Sequence, residues 1–169
     1  MVVVFIVAVM ASIGMPLFQQ QFAVRETESI ARRFILHAQF ARQQALHLGK
    51  SIQMAPLAGT NWNSGWVVAD QCREGDYPSL CDQGLTFSQG AIAPIYFKGS
   101  AKQWTHQNQS QNGITFNAAG AAKTSQGGFL ATRLILGHSA NSDIERHLIL
   151  SSGGRWRICD PRLDSKACR

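Results

Sequence analysis

The sequence predicts an α+β fold in which one long N-terminal helix precedes an antiparallel, β-rich globular head. Apolar residues recur at helical spacing up to Leu48, and after Gly49 the pattern changes to short β-type runs separated by turn chemistry. Four cysteines in two close pairs fit a head closed by local cross-links.

The helix has two halves. Residues 1–24 contain no charged side chain, and Met1 to Phe18 is almost wholly apolar. As a helix those eighteen residues span about 27 Å, just short of a bilayer's hydrocarbon core of about 30 Å. A secretory signal peptide would need a basic n-region and a small-residue cleavage site; the first is absent and Ala8-Val9-Met10-Ala11 serves the second poorly. The better reading is a membrane helix that runs on into residues 25–50. There Ile30, Phe34, Ala38, Ala41, Ala45 and Leu48 recur at three- and four-residue steps, and Arg25, Glu26, Arg32, Arg33, Arg42 and Gln43 lie off that stripe. Gly49 is a helix stop, and Pro16 predicts a kink or local unwinding. The whole helix would be about 70 Å long.

Residues 51–169 form the head. Strands are expected near Ser51–Ala55, Gly65–Ala69, Leu85–Ser88, Ile92–Phe97, Gly113–Asn117, Phe129–Leu136, Arg146–Leu150 and Arg155–Cys159. Asn61–Gly65, Asn117–Gly120 and Ser152–Gly154 read as turns. The Gln/Asn-rich stretch 103–112 reads as a loop.

Cys72 and Cys81 are separated by eight residues, as are Cys159 and Cys168, which is not zinc-ligand spacing. Of the three connectivities four cysteines allow, local pairing 72–81 and 159–168 is the simplest, and it implies an oxidising compartment. Free buried thiols in a cytosolic protein are the alternative.

With 169 residues, 45% of them apolar, the chain can bury a core and is neither disordered nor collagen-like. No phosphate-loop, dinucleotide, metalloprotease or nucleophile-elbow pattern occurs, so the expectation is no enzyme, no cofactor and no metal. His37, His47, His106, His138 and His147 are scattered and read as surface or packing residues, and Trp62, Trp66 and Trp104 as core or rim aromatics.

The formal net charge is +6 although only 15% of residues are charged. Residues 151–169 carry Arg155, Arg157, Arg162, Lys166 and Arg169 against Asp160 and Asp164, which leaves +3, half the excess. If Arg155-Trp156-Arg157 is extended, the two arginines share a face about 7 Å apart and Trp156 faces the other way. Two guanidiniums on one side suit neighbouring phosphates, and Gly153 and Gly154 permit a sharp turn. A Cys159–Cys168 bridge would set Arg162 and Lys166 near the pair. Lys98 and Lys102 extend the candidate basic surface by charge alone. The competing reading is a solvated face, or pairing with Asp160 and Asp164.

Met1-Val2-Val3-Val4 through Ile13-Gly14-Met15-Pro16 resembles the N-terminal helix of type IV pilins and type II secretion pseudopilins. The basic leader, cleavage site and glutamate that accompany such a run in those families are not in this sequence, so Met1 is expected to be an internal start or a trimmed end. Gly65-Trp66-Val67-Val68, Gly113-Ile114-Thr115-Phe116-Asn117, Leu148-Ile149-Leu150-Ser151 and Gly154-Arg155-Trp156-Arg157-Ile158-Cys159 are similar to the GspH/FimT group of minor pilins and pseudopilins. The resemblance implies a pilin-like fold and a helix that contacts other pilins and sits in the inner membrane before assembly. It also implies a periplasmic head that becomes extracellular in the pilus. The positive-inside rule applied to Arg25, Arg32 and Arg33 alone would put these charges in the cytoplasm. Gly154, Arg155 and Arg157 match the DNA-binding Gly-Arg-x-Arg motif of FimT-type minor pilins that serve natural transformation. A GspH-like scaffold of a secretion system, acting through protein contacts only, is the alternative.

Overall fold

The computed structural model describes residues 2–58, 61–70, 87–98, 113–124, 127–166 and 168, with side chains from Phe18 onward. Cys72, Cys81, Lys102, Trp104, His106, Arg169 and the loop expected at 103–112 lie outside the described residues.

Helix α1 (Val2–Leu48) is followed, among the described residues, by nine strands: β1 (Ile52–Ala58), β2 (Asn61–Ala69), β3 (Phe87–Gln89), β4 (Ile95–Lys98), β5 (Ile114–Phe116), β6 (Ala122–Lys123), β7 (Thr132–His138), β8 (Asn141–Leu150) and β9 (Trp156–Cys159). They form two sheets, ordered β3-β2-β1-β5-β6 and β4-β7-β8-β9, with antiparallel pairing throughout. Asn63 ties the two sheets together: its side-chain oxygen accepts the Phe97 N–H at 2.7 Å and its carbonyl accepts that of Ile92. The result is an α+β architecture, one long helix followed by two antiparallel sheets.

α1 is assigned helical through Pro16, so the unwinding expected there does not occur. Proline removes one hydrogen bond, and the bonds of neighbouring turns carry the helix across. Among the described residues no helix is long and apolar enough to cross a membrane.

The second half of α1 packs on the sheets as its spacing predicts. Phe34, Ala38, Ala41 and Ala45 are fully buried, and Ala31 joins them. Leu48, at the end of the stripe, is half exposed. Alanine at the contact positions keeps the helix close to the strands, and Phe34 fills the space between them. Its ring lies 5.3 Å from Trp62, 5.0 Å from Trp66, 5.4 Å from Phe97 and 5.5 Å from Trp156. These aromatics come from both sheets, so one helix side chain centres the core.

Polar contacts fix the helix's position. Glu28 of α1 accepts from Arg146 of β8 at 2.8 Å, and Arg146 also binds Asp160 at 2.7 Å. His138 of β7 stands 3.3 Å from Glu26. Trp66 Nε1 donates to His37 Nδ1 at 2.9 Å, a bond that needs an unprotonated Nδ1. Burial, and secondarily the Arg33 charge, lowers the His37 pKa in the same direction.

The expected strands occur where they are described, but with shifted ends: residues 92–94 precede β4 rather than opening it, residues 129–131 precede β7, and β8 begins at Asn141, five residues before the expected Arg146. Asn61–Gly65 is not a turn but the first half of β2, because Trp62 is drawn into the core beside Phe34. Gly65 accommodates the irregularity: its φ is +101° and a Cβ there would meet the Gln89 carbonyl oxygen at 2.0 Å. The two-residue β6 is too short to have a periodicity.

Candidate nucleic-acid interface

The β8–β9 hairpin builds the site. Its turn closes with Gly154 N–H donating to the Ser151 carbonyl and Ser151 N–H donating to that of Arg155, both at 2.9 Å. The Ser151 hydroxyl accepts from Arg155 N–H at 3.1 Å. Gly154 is buried with φ +78°, and a Cβ on it would lie 2.5 Å from the Gly120 carbonyl oxygen and 2.9 Å from Arg42 Nε. Arg42 donates to that same carbonyl at 2.8 Å, so α1, the 117–120 turn and the hairpin turn meet at one point. Arg42 is a positioning residue that its off-stripe place on the helix did not reveal.

From this turn β9 runs along β8 in the register Leu150↔Trp156, Ile149↔Arg157, Leu148↔Ile158 and His147↔Cys159. Alternation then sorts the side chains. Trp156 turns inward onto Phe34, its ring edge-on at 80°, while Arg155 and Arg157 are exposed. Ile149, Ser151, Arg155, Trp156 and Arg157 line one groove of about 280 Å³. A larger groove of about 570 Å³ lies between α1 and β9, lined by Glu28, Arg32, Arg146 and Asp160, with Arg157 lining it as well as the smaller groove. There Glu28 pairs with Arg32 and Arg146, and Asp160 with Arg146, so opposite charges face each other.

The other candidate cations fall elsewhere. Arg162 is not set beside the pair: it binds Asp143 at 3.5 Å, near the opposite end of β8. Ile149 lies six positions along β8 from Asp143, about 20 Å of strand. The bridge does not bring Arg162 back because β9 carries the chain away from the turn before the tail reverses. Lys166 is exposed, its N–H bonded to Asp164. Lys98 binds Glu145 and the Ser142 carbonyl, and its hydrogen bond holds the Glu145 carboxyl below the ordinary carboxylate range.

Cys159 and Cys168 form a disulfide, as the local pairing predicts. It crosses the outer face of the sheet beside His147, and Arg133 Nη1 donates to the Cys168 carbonyl at 3.0 Å. His147 and the two sulfurs lie within 4.8 Å of one another. The sulfurs are bonded to each other, so they offer no thiolate to a metal. His37 and His138 are likewise buried, and Trp62 and Trp66 are core residues.

The model of the family described as "Type II transport protein GspH" matches residues 31–154. No curated protein matches the sequence. Among solved structures, the chain is similar to the type IV minor pilin FimU of Pseudomonas aeruginosa, with a TM-score of 0.62 at 16% identity, covering 86% of this chain and 96% of that one. It is similar also to the minor pseudopilin EpsH of the Vibrio cholerae type 2 secretion system, with a TM-score of 0.54 at 10% identity, covering 80% and 98%. At such identities the likeness speaks for the fold, and the match across most of the sequence speaks for the family. The chain belongs to the GspH family, in the GspH/FimT group of minor pilins and pseudopilins.

Proposed function

We propose that this chain is a minor pilin that binds extracellular DNA without sequence preference through Gly154, Arg155 and Arg157, and so supports DNA uptake in natural transformation. The observation that carries the reading is the sorting of side chains at the hairpin. Trp156 is held in the core by Phe34, and the arginines on either side of it are exposed along one groove. Guanidiniums so arranged meet phosphate oxygens by charge-assisted hydrogen bonds and read charge rather than base identity. Arg162, Lys166 and Arg169 add to the field that draws a polyanion in. In this reading residues 1–24 anchor the chain in the inner membrane before assembly, residues 25–50 join them in contacting other pilins, and the head ends on the pilus surface.

The test is titration of the full chain, in nonionic detergent, against a labelled duplex at several salt concentrations. Wild type should bind with micromolar or weaker affinity. Arg155→Ala/Arg157→Ala should bind more weakly, with the slope of log K against log salt reduced by about 1.8, two phosphates' worth. Unchanged binding in the double variant refutes the site.

A second reading, a scaffold pseudopilin of a type II secretion system, is favoured by the description of the matching family and by the likeness to EpsH. Secretion genes beside this one would favour it, and pilus or competence genes the first.

A further inference from the structure

Strand register brings a third arginine to the hairpin from a distant part of the sequence. Arg133 of β7 pairs with Ile149 of β8, and Ile149 pairs with Arg157 of β9. Direct cross-strand partners project from the same face of a sheet, so Arg133, Ile149 and Arg157 form one row on the outer face. Trp156, one residue off that row, points into the core. With adjacent strands about 4.8 Å apart, the Arg133 and Arg157 backbones are separated by about 10 Å. Ile149 lies between them and lines the same groove as Arg155. Arg133 is exposed. Its bond to the Cys168 carbonyl uses one of the five N–H donors of a guanidinium.

We propose that the DNA-binding surface is a three-arginine site centred on Ile149, in which Arg133 is a third phosphate contact across the sheet from Arg155 and Arg157. The inference rests on the DNA-binding reading above and adds a residue outside the Gly-Arg-x-Arg segment. Arg155 and Arg157 follow the direction of β9, and Arg133 extends the site at right angles to it. The bonded Cys168 carbonyl holds the Arg133 side chain on this face.

The experiment is the same salt-dependent titration of the full chain, with Arg133→Ala, Arg133→Gln and Arg133→Lys measured beside Arg155→Ala/Arg157→Ala. Circular dichroism and thermal melting establish that each variant is folded. Arg133→Ala and Arg133→Gln should both bind more weakly, each lowering the log–log salt slope by about 0.9, while Arg133→Lys keeps the wild-type slope. Glutamine retains an N–H donor for the Cys168 carbonyl and removes the charge. If Arg133→Gln binds like wild type while Arg133→Ala does not, Arg133 only holds the tail and the proposal is overturned. Wild-type slopes in both neutral variants, beside a weakened double variant, overturn it too and leave the hairpin site standing. Unchanged binding in the double variant is the different result, the failure of the DNA reading itself.

Discussion

Trp156 meets Phe34 edge-on, with ring centroids 5.5 Å apart and planes at 80°. This contact joins the helix to the edge strand that carries the candidate arginines. An aromatic pair of this geometry contributes about 0.5–1.5 kcal/mol beyond the area it buries. Because successive residues of a strand face opposite ways, anchoring Trp156 inward is what sends Arg157 outward.

Replacing Trp156 should therefore affect both stability and binding. Trp156→Ala should destabilise the chain, by less than the roughly 3–5 kcal/mol of a fully buried ring because Trp156 is only partly buried, and weaken DNA binding although no arginine is changed. Trp156→Phe, which keeps an aromatic ring against Phe34, should lose much less of either. Thermal melting and the duplex titration measure the two effects. Wild-type binding by a melted-down Trp156→Ala variant would break the link between core and site.

At Gly154, φ +78° coincides with a Cβ position 2.5 Å from the Gly120 carbonyl. Gly154→Ala should destabilise the chain by more than about 1 kcal/mol and shift the hairpin turn. Gly153, with open space around its Cβ position, should accept alanine with less loss. A melting comparison of the two variants suffices, and equal melting points would contradict the packing at this turn.

The disulfide and the arginine pair are held by different means. Removing the bridge with Cys159→Ser/Cys168→Ser should cost about 2–3 kcal/mol on a chain-entropy estimate for a loop of this length. Arg155 and Arg157 are positioned by the turn and by β8 pairing, so DNA affinity should fall far less than in the double arginine variant. A loss as large as that of the arginine variant would show that the tail, not the hairpin, organises the site.

Acidification acts through His37. Its folded pKa is lowered, by burial first and by Arg33 second, so the folded state binds its proton less readily than the unfolded chain. The contribution to stability is complete above the unfolded pKa of about 6.5 and is lost as pH falls towards the lowered folded value. Protonation at Nδ1 also breaks the bond from Trp66. Unfolding free energy should drop between pH 8 and pH 5, by at most about 1.4 kcal/mol per pH unit from this group, read as a falling melting temperature. His37→Gln can keep an acceptor for Trp66 without titrating and should flatten the curve over that range. If the two profiles run parallel, His37 is not the group responsible.

Much of the fold is legible in the residues themselves because its signals are local. Three- and four-residue spacing from Phe34 to Ala45 gives the buried stripe, and the change of period after Gly49 gives the strands. Nearby cysteines give the 159–168 bridge. The Arg-Trp-Arg alternation gives the opposite faces of β9. Asn61–Gly65 misleads as a turn because the local polar composition competes with a distant aromatic core that claims Trp62.

Tertiary structure decided what no local pattern encodes: which strands are neighbours, and in what register. It spends Lys98 on Glu145 and commits Asp160 to Arg146. It carries Arg162 to Asp143 and aligns Arg133 with Arg157 through Ile149. These relationships join residues far apart in sequence, and they follow from packing both sheets around Phe34. The amino-acid order alone determined the helix, the strand-rich head and a basic end. The packed sheets determined which of its charges share a surface.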